Sequence, residues 1–268
     1  MKKVFILGLL CLQSLYADIS LDRYFSYMQQ LAQSNGDFKK GEIEIITNLD
    51  EIAQIQKIQE NRLLKKGFSA ADAVEFSRIG VVNEDQYWIW LRDAVYFPKG
   101  IPGTYDRLLW KNELQRKCAG IAILPVSPSG QIILVLSFRH ATRSWELELP
   151  RGRIEPGETQ EEAAFRELKE ETGFVASSMI ALGEITTDTG VHSSVVPVFL
   201  GRIIAQNNSN TEFSEAIAGA ICVSKDEINE GLVRGFLEVS IDGQKKQVPL
   251  RDAFLTFALL QAQLRKLL

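Results

Sequence analysis

Cysteine and histidine are scarce: 268 residues hold three Cys (Cys11, Cys118, Cys222) and two His (His140, His192). They are too few and too scattered for a Cys/His zinc centre, and no CxxC pair occurs. Any bound metal therefore falls to carboxylates. No run of Lys or Arg appears, and 30 basic against 34 acidic residues leave a net charge of −4. That balance argues against stable nucleic-acid binding. The uncharged N-terminal stretch, residues 4–16, falls short of the roughly 20 residues a membrane helix needs, so no transmembrane span is expected in the mature chain. With 46% hydrophobic and 24% charged residues, the composition is that of a globular protein, neither disordered nor multi-spanning.

Residues 1–17 read as an export signal: Lys2 and Lys3, an uncharged run, then Ala17 before a cut. The expected location is outside the cytoplasm if the signal acts, and cytoplasmic otherwise. Removal would take Cys11 and leave Cys118 and Cys222, which either pair or stay as buried apolar residues. Residues 21–33 and 50–64 carry helical periodicity, and Ser69 with Asp72 starts a further helix. We therefore expect a helical N-terminal extension over 18–78 and one main domain over 79–268. Tyr87-Trp88-Ile89-Trp90-Leu91 reads as a strand ending near Pro98-Lys99-Gly100 and Pro102-Gly103. Residues 121–126 and 131–138, joined by Ser127-Pro128-Ser129-Gly130, suggest a hairpin. Strands over 179–186, 195–204 and 216–223 and helices over 225–232 and 252–267 complete a mixed α/β sandwich. The last helix spaces Phe254, Phe257, Ala258, Leu260 and Leu264 as a core or dimer stripe.

The informative stretch runs from Gly152 to Phe174. Pro156-Gly157 makes a turn, and a helix from Thr159 to Thr172 stops at Gly173 in the left-handed conformation a helix end favours. Glu167, Glu170 and Glu171 stand at i, i+3 and i+4, so their carboxylates share a face. Like charges there repel unless something positive sits among them. A hard divalent cation, Mg²⁺ or Mn²⁺, suits oxygen ligands, while a solvated acidic face is the alternative. Residues 155–171 hold seven Glu against Arg166 and Lys169, so the charge of the whole chain concentrates here.

Gly152, Glu158, Arg166, Glu167, Leu168, Glu170, Glu171, Gly173 and Phe174 match GX5EX7REUXEEXGU, with U apolar, at every position. The chain thus resembles the Nudix hydrolases. The resemblance implies an α/β/α sandwich around a mixed sheet over about residues 86–268. It also implies Mg²⁺-dependent hydrolysis of a nucleoside diphosphate linked to another group. By position, Glu167 and Glu171 are the main metal ligands, Glu170 is auxiliary, and a carbonyl of Arg151 or Gly152 completes the shell. Glu158 and Arg166 orient loop and helix through a salt bridge. The general base is a box glutamate or a loop glutamate such as Glu212 or Glu215.

Trp145 to Gly152 is similar to the Glu-Leu-Pro-Ala-Gly entry of ADP-ribose and ADP-sugar pyrophosphatases, with Arg151 in place of Ala. Phe138-Arg139 resembles their aromatic-Arg pair. Asp188-Thr189-Gly190 stands where those enzymes have Ser-Pro-Gly. The resemblance offers Arg139, Arg143 and Arg151 as phosphate contacts, Trp145 for base stacking or core filling, and His192 for substrate contact. It also implies a small nucleotide substrate and a homodimer. Dinucleotide or capped-RNA hydrolysis and a non-catalytic nucleotide sensor are the competing readings.

Overall fold

The computed structural model describes residues 20–31, 33–114, 118, 120–206, 217–241 and 243–268. The export segment 1–17, Glu212 and Glu215 lie outside them. Two compact units form: Met1–Lys117 with Asp188–Ser194, and Cys118–Thr187 with Val195–Leu268. The boundary expected after Arg78 therefore falls inside the first unit, which is not all helical.

In that unit, helix α1 covers residues 20–31. Asn48 caps α2 (Leu49–Lys65) and Ser69 caps α3 (Ala70–Ser77). Strands β1 (Glu44–Ile45) and β2 (Gly80–Glu84) share one edge of β3 (Trp88–Phe97), and β4 (Ile101–Trp110) pairs with its other edge along the whole length. Lys99 and Gly100, at φ 70° and 72°, turn β3 into β4. Pro102 and Gly103 sit within β4 instead of ending a strand, because an edge strand tolerates a proline. Buried Asp93 accepts a hydrogen bond from Tyr24 Oη at 2.7 Å and pairs with Arg107 Nε at 2.5 Å. Segment Asp188–Ser194 joins this unit: Leu108 N–H donates to the Val191 carbonyl at 2.9 Å, and Ser193 Oγ donates to Glu113 at 2.6 Å.

The second unit begins with β5 (Gly120–Val126) and β6 (Ile132–Arg139). The turn forms as expected, but the two strands share only the Val126–Ile132 pair and then splay. Into the gap run β7 (Ser144–Glu148), which pairs with β6, and β8 (Arg151–Arg153), which pairs with β5. Helix α4 (Gln160–Thr172) follows, then β9 (Phe174–Ile185), β10 (Val196–Gln206) and β11 (Ile217–Val223). The sheet order is β11-β6-β5-β10-β9, with β10 parallel to β5 and antiparallel to β9. Along β5, Ile121 and Ile123 point to α4 with Ala163 and Ala164. Ala122, Leu124 and Val126 point to the other face, where α5 (Lys225–Arg234), the hairpin β12 (Phe236–Ile241) and β13 (Gln244–Pro249), and α6 (Ala253–Leu264) supply cover. A strand covered on both faces reads as a continuous apolar run, as these do. The unit is an α/β/α sandwich. Cys118 is buried, Cys222 is exposed, and neither is disulfide-bonded. Among the described residues no helix is long and apolar enough to cross a membrane.

On α6 the buried residues are Phe254, Leu255, Ala258, Leu259 and Ala262. Leu260 and Leu264, expected in that stripe, lie outward, Leu264 being 70% exposed. Leu255→Ala is expected to cost about 2–5 kcal/mol in urea unfolding and Leu264→Ala within about 0.5 kcal/mol. Equal costs would contradict this orientation.

Candidate active site

Helix α4 starts with a reciprocal capping box between Thr159 and Glu162 and ends at Gly173, at φ 72°. Ala163, Ala164 and Leu168 bury its inner face. On the edge toward β8, the Glu167 and Glu171 side chains are buried, whereas that of Glu170 is 51% exposed. The Arg151 N–H donates to Glu171 Oε2 at 2.9 Å. Gly152 faces Glu167 so closely that a Cβ there would stand 1.9 Å from the Glu167 carboxyl carbon.

The positive group among these carboxylates is Arg166. Its Nε pairs with Glu158 at 2.9 Å, its Nη1 with Glu167 at 2.7 Å and with Glu170 at 3.0 Å, and its Nη2 donates to the Arg153 carbonyl at 2.8 Å. The Glu158 hydrogen bond leads in raising the Arg166 pKa above its ordinary value, against the effect of burial. Among the described residues no group of three or more His, Cys, Asp or Glu converges as a metal site. The three-glutamate group expected from helical spacing is therefore not formed among the described residues: Arg166 pairs with Glu167 and Glu170, while Glu171 accepts from the Arg151 N–H. The donor chemistry still fits a hard divalent cation, since two buried carboxylates border a backbone cradle that only glycine leaves open.

Beside β7 lies an open cleft of ≈ 280 Å³. Arg139 Nε donates to Glu148 Oε2 at 2.6 Å, and Arg151 pairs with the other oxygen of Glu148. Arg151 Nη1 also reaches Asp252 Oδ1 at 3.4 Å, and its guanidinium lies 5.1 Å from the Phe254 ring centre. Arg251 pairs with Glu146, which further accepts from Ser144 Oγ at 2.6 Å and Thr142 Oγ1 at 3.1 Å. Burial raises the Asp252 pKa against the nearby charge of Arg151.

A NUDIX domain model matches residues 116–235. A Bacillus subtilis (strain 168) protein, "ADP-ribose pyrophosphatase", is 30% identical over 161 residues, 59% of this chain and 79% of the relative. The chain belongs to the Nudix hydrolase family. "ADP compounds hydrolase NudE" of Escherichia coli (strain K12) is 31% identical over 106 residues, 40% of this chain and 54% of its own length. Mouse "ADP-sugar pyrophosphatase" is 29% identical over 128 residues, 46% of this chain and 59% of its own. The chain thus spans little more than half of these last two. A solved "ADP compounds hydrolase" superposes with a TM-score of 0.47 at 24% identity, covering 57% of this chain and 79% of that one.

Within this Nudix chain, Arg139 and Arg151 line the cleft with Glu146, Glu148, Arg251 and Asp252. These last four escaped the sequence reading. Glu146 and Glu148 alternate with buried Leu147 and Leu149, which marks two acids on one face of a strand; no local signal pairs Glu146 with Arg251, 105 positions away. Arg143 does not line the cleft: its guanidinium lies over Phe138 at 5.4 Å and bonds His140 Nδ1 at 2.7 Å. Trp145 packs edge-on against Phe138 at 5.6 Å and on the apolar core. His192 belongs to the first unit, its ring 5.6 Å from that of Trp88.

A methyl at Gly152 meets the movable end of Glu167, so Gly152→Ala is expected to cost only about 1 kcal/mol of stability while displacing the carboxylate and lowering turnover. Unchanged turnover would contradict the close approach. Burial pushes the Glu146 carboxyl up, but hydrogen bonds from Arg251, Ser144 and Thr142 outweigh it and hold its pKa below the ordinary value. Its contribution to stability is thus present above about pH 4.3 and lost as pH falls through the lowered pKa. Glu146→Gln is expected to flatten that acid limb in urea titrations at stepped pH.

Proposed function

We propose that the chain is a Mg²⁺- or Mn²⁺-dependent pyrophosphohydrolase, cleaving ADP-ribose or a nucleotide sugar to a nucleoside monophosphate and a phosphorylated second product. The observation that carries this reading is the pair of buried glutamates, Glu167 and Glu171, held against the Arg151–Gly152 backbone beside an arginine-lined cleft. The names of the Bacillus subtilis and mouse relatives support the substrate class.

Glu167 and Glu171 would hold the cation, with Glu170 at the rim and a carbonyl of Arg151 or Gly152 beside them. When bound, the cation supplies positive charge for the diphosphate oxygens and acidifies water in its shell. Arg139 and Arg151 exchange part of their pairing with Glu148 for phosphate oxygens, which suits their forked donors. Water attacks one phosphorus; the bridging oxygen leaves with the other phosphoryl group. The water's proton goes to a carboxylate: Glu170 is the exposed one of Glu167, Glu170 and Glu171, and Glu212 and Glu215 are the alternatives outside the box. Arg166 keeps Glu158 and the Arg153 carbonyl, so helix and loop stay in place as the reaction proceeds.

The test is a panel of ADP-ribose, ADP-sugars, NADH, a diadenosine polyphosphate and capped RNA with Mg²⁺ or Mn²⁺, read as release of nucleoside monophosphate. ADP-ribose or an ADP-sugar is expected to turn over, chelation to abolish it, and Glu171→Gln to lower kcat at least about a hundredfold. Turnover of the dinucleotides or capped RNA alone would replace the substrate class. Turnover unaffected by Glu171→Gln would reject the metal assignment, and binding without any turnover would make the chain a sensor.

A further inference from the structure

Leu149 is buried and precedes Pro150. Strand β7 ends at Glu148, so the Leu149 N–H is carried past the ladder into the gap between β5 and β6. One residue on, the Pro150 carbonyl accepts from Ile123 N–H at 2.9 Å. A buried N–H left without an acceptor is strongly unfavourable. The acceptor is Asp252 Oδ2, at 2.9 Å and 103 positions away. Asp252 Oδ1 also accepts from Phe254 N–H at 3.2 Å, capping α6, and from Arg151 Nη1 at 3.4 Å. One buried carboxylate thereby ties a helix N-terminus to the residues on both sides of Pro150.

The other side of the same short backbone run meets the Nudix helix. The Arg151 N–H donates to Glu171, and Gly152 lies against Glu167. Two residues separate the peptide anchored by Asp252 from the peptide that holds Glu171, and proline between them fixes its own φ. Asp252 lies beyond residues 116–235, the stretch that matches the family model.

We infer that Asp252 is a positioning residue: through the Leu149–Arg151 backbone it sets where Glu171 and Glu167 stand. Its effect on turnover rests on the function proposed above; its effect on the backbone does not. The test compares Asp252→Asn and Asp252→Ala by amide hydrogen exchange. The Leu149 amide loses an acceptor directly, so the reporter is the Arg151 amide, whose partner is Glu171. We expect its exchange to speed up roughly 5- to 10-fold in Asp252→Ala, and less in Asp252→Asn, which retains an acceptor. The Leu124 amide, deep in β5, is expected to stay unchanged. With ADP-ribose and Mn²⁺, kcat is expected to fall about 10- to 100-fold with KM little altered, as when a group supporting metal ligands is lost. Unchanged Arg151 exchange in both variants overturns the inference, as does equal acceleration at Leu124, which would mean general loosening. If Asp252→Ala fails to fold, Asp252→Asn carries the same comparison. Absence of wild-type turnover would reject the proposed function, while the exchange result would still decide the anchor.

Discussion

Close approach of a bare backbone to a carboxylate governs the site. Gly152 lies against Glu167 where a Cβ has no room, and one helical turn on, Glu171 accepts the Arg151 N–H. For both contacts to exist, β8 must leave the edge of β5 at the right level, and α4 must present positions 167 and 171 to it. The splay of β5 from β6 makes the first possible, because it opens a channel through which residues 144–153 enter. The apolar face formed by Ala163, Ala164 and Leu168 secures the second, since it sets the rotation of α4 on the sheet.

Charge compensation is the second constraint. Carboxylates brought this far out of water need partners, and a buried charge without one is very costly. In α4 the partner is Arg166, which bridges Glu158, Glu167 and Glu170 and reaches back to the Arg153 carbonyl. In the cleft, Arg139, Arg151 and Arg251 meet Glu148, Asp252 and Glu146. On the function proposed above, an incoming diphosphate competes with carboxylates for arginines that are already placed. Geometry is prepared in advance, at the cost of displacing a partner.

Much of this was legible locally. The start of α4 near Thr159, its stop at Gly173 and the spacing of its glutamates follow from rules that act over three or four residues, and those hold. The continuous apolar runs of β5 and β6 and the turn between them were legible for the same reason. Pro102 and Gly103 misled, because an edge strand accommodates residues that would end an internal one. Leu260 and Leu264 misled because α6 is apolar nearly all round, so periodicity alone could not choose its buried face.

By itself, the sequence determined the family, the box helix with its stop at Gly173, and the acidic character of the site. Each depends on residue type and short-range spacing, which survive without knowledge of neighbours. Only the tertiary structure decided that Arg166 is the positive group among the glutamates and that Arg139 and Arg151 share Glu148. It also decided that Asp252 closes on Leu149 from 103 residues away, and that residues 188–194 fold with the N-terminal unit. Those outcomes depend on strand register and on where a splayed hairpin lets the chain pass. A shift of one residue in a strand turns a side chain to the opposite face, and no local pattern carries that information.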